Sequence, residues 1–519
     1  MLSEHVLAVH FLVRAFLNPP HSPKTLITKL SKLDLLRKEG VFMVKAEQVR
    51  KFLSNPLVRW NLRQLSRRNS DTDRTLIKEM IAAYIGQGKI KLQYLPYFAF
   101  ISILPYILKI DREKLINEIF SQPHYRQAIS NVACSVAEFG LNTPQIFASP
   151  LLVVWNFTNA CNLKCKHCYQ NAGQVLEDEL TLEERLKIID ELYSNDVAAL
   201  AFAGGEPLMH KDFWPVAEYA HQKGLHLSVA TNGTLITKDL ALRLKEVGVN
   251  YVEISVDSVK PEAHDNFRGG KGYWARTIEG IKNCVEVGGL QVGMATTITN
   301  NNFSEMQELI ELSKELKVNY FYVFNFIPVG RGKDIVKSDL SPEMREEMMH
   351  ILHNAFLEKG VGTFSTCPQY GRYCYHHAPN EVIINSHYGY AKGEYAKMLA
   401  DYIGGCGTGR AYCAIQPNGF VTPCVFMPTI KVGDLRRESL KDIWHTSKVL
   451  KDLRDRSALK EQCGSCQFRS MCGGCRARAY GYFGDYMGPD PGCINNLSAW
   501  EKLINQEEEA ELLKTGANF

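Results

Sequence analysis

Three cysteines crowd together in Cys161-Asn-Leu-Lys-Cys165-Lys-His-Cys168, with Tyr169 directly after them. Thiolates are soft ligands, so this spacing suits an iron–sulfur cluster or zinc. On a four-iron cluster, three ligands leave one iron open. A closed zinc site needs a fourth local ligand, and His167 is awkwardly spaced to supply it. A second group follows near the C-terminus: Cys406-x6-Cys413-x10-Cys424, then Cys463-x2-Cys466-x5-Cys472-x2-Cys475, then Cys493. Eight thiolates match two four-iron clusters, with two zinc ribbons as the alternative. The two groups use eleven of the fifteen cysteines. Cys134 and Cys284 lie in helical contexts and read as core thiols. Cys367 and Cys374 fall in an irregular stretch, where a structural role, a metal pair and substrate contact all remain open.

The first cysteine loop must be held by the strand before it. From Leu151 an apolar strand, a turn and an amphipathic helix repeat every 25–35 residues or so, the pattern of βαβ units. The expected strands are Leu151–Phe157, Ala198–Phe202, His226–Ala230, Tyr251–Val256, Gln291–Thr297 and Tyr320–Phe326. The helices between them cover Thr181–Tyr193, Phe213–Lys223, Lys238–Val247, Gly272–Val287 and Ser304–Leu316. Thr181 and Glu184 have the spacing of a capping box. Parallel strands need such crossovers, so a six-stranded β/α barrel is expected, with its active face on the loops after the strands. Those loops carry Gly204-Gly205-Glu206-Pro207, Thr231-Asn232-Gly233, Ser255-Val256-Asp257, Arg268, and Asn325-Phe326-Ile327-Pro328-Val329-Gly330. Glycines permit close backbone approach, Glu206 can accept from an ammonium, and an Arg can meet a carboxylate.

The Cys-x3-Cys-x2-Cys loop and these strand-end motifs resemble the radical S-adenosylmethionine (SAM) superfamily. The resemblance implies a partial (β/α)6 TIM-like barrel. It also implies that a cluster on Cys161, Cys165 and Cys168 binds SAM and cleaves it reductively to a 5′-deoxyadenosyl radical. Glu206, within Gly204-Gly205-Glu206-Pro207, is then expected at the SAM amino group. Thr231, Asn232, Ser255 and Asp257 are expected at methionine and ribose, Tyr169 and Ile327 at adenine, and Arg268 at SAM or a substrate carboxylate. The later cysteines, with Gly419 five residues before Cys424, resemble the SPASM domain. By family order the first auxiliary cluster uses Cys406, Cys413, Cys424 and Cys475, and the second uses Cys463, Cys466, Cys472 and Cys493. Three [4Fe–4S] clusters and SAM are the implied cofactors. In sulfatase-maturing relatives an Asp follows the third ligand of the first auxiliary cluster and acts as base; here Val425 stands there, so that mechanism is not carried over. No catalytic acid or base is assigned.

The expected organisation is a mainly helical basic region over 1–148, the barrel over 149–335, a connecting segment over 336–400, the SPASM domain over 401–496 and a helix or tail over 497–519. A chain of 519 residues, 45% hydrophobic and 22% charged, has a globular composition. Its net charge of +4 hides an asymmetry, since residues 1–150 carry about +10. No signal-peptide pattern opens the chain, and fifteen cysteines in so long a chain fit a reducing cytoplasm better than a disulfide scaffold. The apolar run Leu92–Leu108 is short for a membrane span and is broken by Pro96 and Pro105.

The expected reaction is hydrogen abstraction from an unactivated carbon of a peptide, lipid or other biosynthetic substrate, with electrons from a donor such as ferredoxin or flavodoxin. The apolar stripe Leu2–Leu17, the basic runs Lys45–Phe52 and Asn61–Arg68 and the aromatic stretch Tyr94–Tyr106 fit a peripheral contact with an anionic membrane or an amphiphile. No motif supports nucleic-acid binding. From another class, an iron–sulfur electron carrier or scaffold would have no use for a methionine site after each strand.

Overall fold

The computed structural model describes residues 46–95, 97, 98, 101, 102, 111–358, 361–377 and 400–505. The stripe Leu2–Leu17 lies outside the described residues, as does much of Tyr94–Tyr106. The chain divides into two compact units, Met1–Leu141 and Asn142–Phe519.

In the first unit, helices α1 (Ala46–Leu53), α2 (Pro56–Leu65), α3 (Leu76–Tyr84) and α4 (Pro123–Phe139) surround a small hairpin, β1 (Arg68–Asn69) with β2 (Arg74–Thr75). Part of its positive charge is structural. Arg59 and Arg63 on α2 donate to the carbonyls of Ala137 and Glu138 in the last turn of α4, where the helix leaves its acceptors unpaired. No helix among the described residues is long and apolar enough to cross a membrane.

The second unit is built on a ten-stranded sheet. Six consecutive parallel strands form its centre: β3 (Leu152–Thr158), β4 (Ala199–Gly204), β5 (His226–Thr231), β6 (Val249–Ser255), β7 (Gln291–Ile298) and β8 (Tyr320–Asn325). They match the six expected from the apolar periodicity to within two residues at each end. The crossovers are α5 (Leu182–Ser194), α6 (Phe213–Gln222), α7 (Lys238–Glu246), α8 (Pro261–Arg268) with α9 (Tyr273–Val287), and α10 (Met306–Glu315). Thr181 and Glu184 close the capping box on α5.

Two further segments extend this sheet. After α11 (Pro342–Leu357), the stretch between barrel and cysteine-rich region supplies β9 (Gly362–Ser365), parallel to β8, and then α12 (Gln369–His377). On the opposite edge, β10 (Tyr412–Ile415) pairs parallel to β3, and β11 (Phe420–Thr422) and β12 (Gly433–Asp434) continue antiparallel. The cysteine-rich segment is therefore joined to the barrel through backbone hydrogen bonds. Its helices include α13 (Leu440–Thr446), α14 (Lys448–Arg454), α15 (Glu461–Ser465) and α16 (Arg476–Phe483).

Alternate strand residues divide between two faces. Val153, Trp155, Leu200, Phe202, Val229, Val252, Ile254, Met294, Phe321 and Val323 pack under the helices in one core. The opposite, inner face carries small residues such as Ala203, Ala230 and Gly293. It also carries an aromatic group, in which Tyr322 and Phe364 are buried and Tyr320 and Phe324 pack against them.

A buried ion network ties the barrel exit to the cysteine-rich region. Asp339 accepts from Arg345 at 2.7 Å, Arg478 at 2.6 Å and the Tyr482 hydroxyl at 2.7 Å. Arg478 also reaches Asp490 at 3.2 Å and the Phe326 carbonyl at 2.8 Å. Burial raises the pKa of both Asp339 and Asp490, but the guanidinium groups beside them hold each net below the usual carboxylate range. This contribution to stability is present above the ordinary carboxylate pKa and is lost as pH falls through the lowered folded values. Asp339→Asn leaves Arg345 and Arg478 buried and under-compensated, a change of the kind that costs about 3–5 kcal/mol. The variant should melt well below the parent chain at neutral pH, with the gap narrowing in acid. Equal melting points at pH 7 would show that the network carries no stability.

Candidate functional site

The cysteine loop starts where β3 ends and is braced from three directions. First, the β4 exit crosses it so closely that a Cβ on Gly205 would lie 2.0 Å from the Ala160 carbonyl oxygen. The N–H groups of Gly205 and Glu206 donate to the carbonyls of Thr158 and Ala160, both at 2.7 Å. The glycine requirement thus arises from chain-to-chain approach. Second, the end of α8 pairs with the loop, Lys164 N–H to Arg268 O and Lys166 N–H to Phe267 O, and the His167 ring stacks on Phe267 at 4.3 Å. Third, Arg331 donates through its backbone to Cys168 O and through Nε to Cys165 O at 2.8 Å. Arg331 escaped the sequence reasoning, which stopped at Gly330.

The strand-end residues meet under this loop. Glu206 is 1% exposed. Its carboxylate accepts from Thr231 Oγ1 at 2.8 Å, the Asn232 N–H at 2.9 Å and the Leu208 N–H at 3.3 Å. Burial raises it to about 7 against those donors. Asn232 in turn donates to Asn162 within the loop, at 2.8 Å. Asp257 and Arg268 form a buried pair at 2.6 Å, and Arg268 Nη1 lies 3.8 Å from Cys165 Sγ. Arg268 was expected at SAM or a substrate carboxylate, and Asp257 at methionine or ribose. In the structure the two pair with each other, Arg268 also faces the Cys165 thiol, and Asp257 also accepts from the Thr297 N–H. Ser255 is half-buried at the end of β6, and Pro207 opens the short turn that follows Glu206.

Tyr169 turns away from the loop. Its hydroxyl donates to Asn156 Oδ1 at 3.0 Å, and its ring packs on Phe426 at 4.8 Å. Ile327, Val329, Cys424, Val425 and Cys475 belong to the same apolar cluster. The stretch after β8, the cysteine loop and part of the second cysteine group are therefore contiguous.

The later cysteines fall into two sets. Cys463, Cys466, Cys472 and Cys493 line one cavity, together with Arg372, Gly473 and Gly474. Cys406, Cys424 and Cys475 lie within electrostatic reach of one another. Burial first, and then Cys406, push Cys424 up to about 11; burial, Cys406 and Cys424 push Cys475 higher still. At Cys406 burial is outweighed by Arg456 together with Thr408, which hold it below the ordinary thiol value. Cys413, expected with them from the order of cysteines, packs in a different cluster. On β10, Tyr412 and Ala414 face the cluster containing Cys424 and Cys475, whereas Cys413 and Ile415 face the helix-covered core with Val153 and Trp444. Strand alternation forces this separation. Cys367 and Cys374 are likewise core residues, and the Cys367 thiol donates to Gln369 at 2.7 Å.

The donor sets fit clusters better than single ions. Among the described residues, no three His, Cys, Asp or Glu side chains converge on a position for one metal ion. Several thiols receive N–H donors: Leu163 to Cys161 at 3.4 Å, Ala172 to Cys168 at 3.5 Å, Gly474 to Cys472 at 3.3 Å and Asp490 to Cys463 at 3.4 Å. Burial raises Cys161 to about 12, and the nearby Glu206, Cys165 and Cys168 add to it. A thiol placed like that of Cys161 ionises readily when a strongly positive centre joins it.

Known proteins agree with this geometry. The radical SAM superfamily profile matches residues 155–313, and an iron–sulfur cluster-binding (SPASM) domain profile matches residues 406–467. The AdoMet-dependent heme synthase of Methanosarcina barkeri is 35% identical over 351 residues, covering 67% of this chain and 97% of that protein. The Fe-coproporphyrin III synthase of the same organism is 32% identical over 358 residues, covering 66% and 87%. Among solved structures, Streptococcus suis SuiB bound to S-adenosylmethionine aligns with a TM-score of 0.55 at 17% identity, over 80% of this chain and 92% of that one, and shows the shared fold. SAM and [4Fe–4S] clusters are the cofactors these families imply. The chain belongs to the radical SAM superfamily and is one of its SPASM-type enzymes.

Proposed function

We propose that this enzyme abstracts hydrogen from a side chain of a tetrapyrrole. The carrying observation is its likeness to the two Methanosarcina barkeri proteins, named for heme and for Fe-coproporphyrin III, the first at 35% identity over nearly its whole length. The barrel's inner face supports the reading. The register sets Asn156 beside Ala203, and Ala230 beside Glu253, Gly293 and Tyr320 in one row. Small side chains thus adjoin Tyr320, Tyr322, Phe324 and Phe364 on the same sheet face, an arrangement suited to a flat ring. Gly293 admits the Tyr251 hydroxyl, since a Cβ there would lie 1.9 Å from it, and that hydroxyl donates to Glu253 at 3.3 Å. Burial raises Glu253 to about 7, so this carboxyl can hold or release a proton near neutrality.

In this reading Cys161, Cys165 and Cys168 hold the SAM-binding cluster, and the later cysteines hold two auxiliary clusters. When bound, the reduced cluster and SAM supply the radical that removes the hydrogen atom. The chain's own residues fix the loop through Arg268, Arg331 and the Gly204-Gly205 crossing. They also present Glu206, whose carboxylate has acceptor capacity beyond its three donors, toward the SAM amino group.

Three outcomes are expected. Anaerobically reconstituted protein should hold about twelve irons, as three four-iron clusters require. Replacing Cys161, Cys165 and Cys168 by Ala should remove about four of them together with 5′-deoxyadenosine formation; zinc in their place, or undiminished cleavage, refutes the assignment. Glu206→Gln keeps one acceptor oxygen, for Thr231 and Leu208, but loses the charge and the oxygen that accepts from the Asn232 N–H. It should weaken SAM binding by about 1.5–3 kcal/mol in equilibrium dialysis, with iron content unchanged, and equal affinity would reduce Glu206 to a turn-former. With SAM and dithionite, an iron coproporphyrin should change mass as 5′-deoxyadenosine accumulates. An unchanged porphyrin, in enzyme that still cleaves SAM, would return the substrate to the peptide or lipid classes.

A further inference from the structure

We infer that, among the described residues, the first auxiliary cluster is held by the three cysteines Cys406, Cys424 and Cys475, and that its fourth iron is open to a small anionic ligand from outside the chain. The inference rests on the reading that these cysteines hold a cluster, and it adds a ligand-binding position to it. Its basis is a strand register. β10 is locked to β3 by parallel pairing from Tyr412 opposite Leu152 to Ile415 opposite Trp155. Cys413 therefore shares its face with its partner Val153, fully buried under the helices. Carrying its thiol to the Cys424 side would mean slipping the strand by one residue, which turns every side chain of β10 to the wrong face.

The polar groups around the three thiols are already committed. Tyr412 donates its hydroxyl to Cys424 Sγ at 3.2 Å and accepts from the Val425 N–H at 2.9 Å. Thr408 Oγ1 lies 3.2 Å from Cys406 Sγ. The carboxylate of Asp490, which takes the Cys475 N–H at 2.7 Å, also accepts from Gln369, Arg478 and the Gly492 N–H. Asp490, the carboxylate that meets Cys475, is thus engaged on both of its oxygens. The local charge favours an anion there. Arg456 is 6% exposed and donates to the Cys406 carbonyl at 2.6 Å, and an iron bearing no thiolate is a Lewis acid.

The full-length Cys161/Cys165/Cys168→Ala protein lacks the SAM-binding cluster, whose own open iron would otherwise take up a probe. Its dithionite-reduced form, mixed with 13C-cyanide, should show 13C hyperfine coupling on an auxiliary-cluster signal in pulsed electron paramagnetic resonance. In the otherwise native chain, Cys413→Ala and the closer-fitting Cys413→Val should both keep the full iron content and the auxiliary signals. Cys406→Ala should lose about four irons, one cluster's worth. Loss of iron in both Cys413 variants would overturn the inference, as would a cluster signal indifferent to cyanide or one already coupled to a protein nitrogen before cyanide is added. Loss of all auxiliary iron from the Ala protein would instead sink the cluster reading itself. Porphyrin turnover is a separate readout, so failure of the substrate assignment would leave these results unaffected.

Discussion

The carboxylate of Asp490 is the point on which the cysteine-rich region turns. It accepts from the Cys475 N–H at 2.7 Å, while the Asp490 N–H reaches Cys463 Sγ at 3.4 Å, so one residue binds both sets of later cysteines. Through Arg478 the same carboxylate is coupled to Asp339 and the exit of β8. Two arginines and two aspartates, each almost wholly buried, balance in charge. Such a network tolerates the loss of no single member. Its value lies less in net stability than in fixing one geometry among many packed alternatives.

The cysteine loop obeys a different constraint. Its thiols are held by backbone rather than by charge: the β4 exit, the end of α8 and Arg331 all donate to or accept from main-chain groups of the loop. Charge enters at one position, where Arg268 faces Cys165 with Asp257 behind it. A thiolate beside a guanidinium is stabilised, and the aspartate keeps that guanidinium from carrying a full uncompensated charge into a buried site.

Much of this was legible in the sequence because the barrel strands are long enough to show their period and each is followed by a helix that ends near glycine. Leu152–Thr158 and Tyr320–Asn325 fell where the apolar runs placed them. The strands at the sheet edges did not show. Gly362–Ser365 and Tyr412–Ile415 are four residues each, too short for periodicity to declare a face. That is why the order of cysteines along the chain did not show which face of its strand Cys413 takes. The pairing of Arg268 with Asp257 did not show for a related reason: residue type and strand-end position mark polar groups near an active face, but not whether they satisfy one another. Arg331 gave no signal, since a single arginine after a glycine turn has no pattern to read.

The parallel pairing of β10 with β3 has a mechanical consequence. The first cysteine loop leaves the C-terminal end of β3, whereas Cys406 precedes β10 and Cys424 follows β11, at the other end of the paired strands. Whatever redox groups the two ends carry are therefore mounted on one sheet, and their spacing is set by hydrogen-bond geometry rather than by a hinge. Electron tunnelling falls steeply with distance, so a mounting of this kind keeps the rate insensitive to thermal breathing of the surrounding helices. Control of electron flow is then left to chemistry at either end, to what binds and what is reduced, and not to motion between modules.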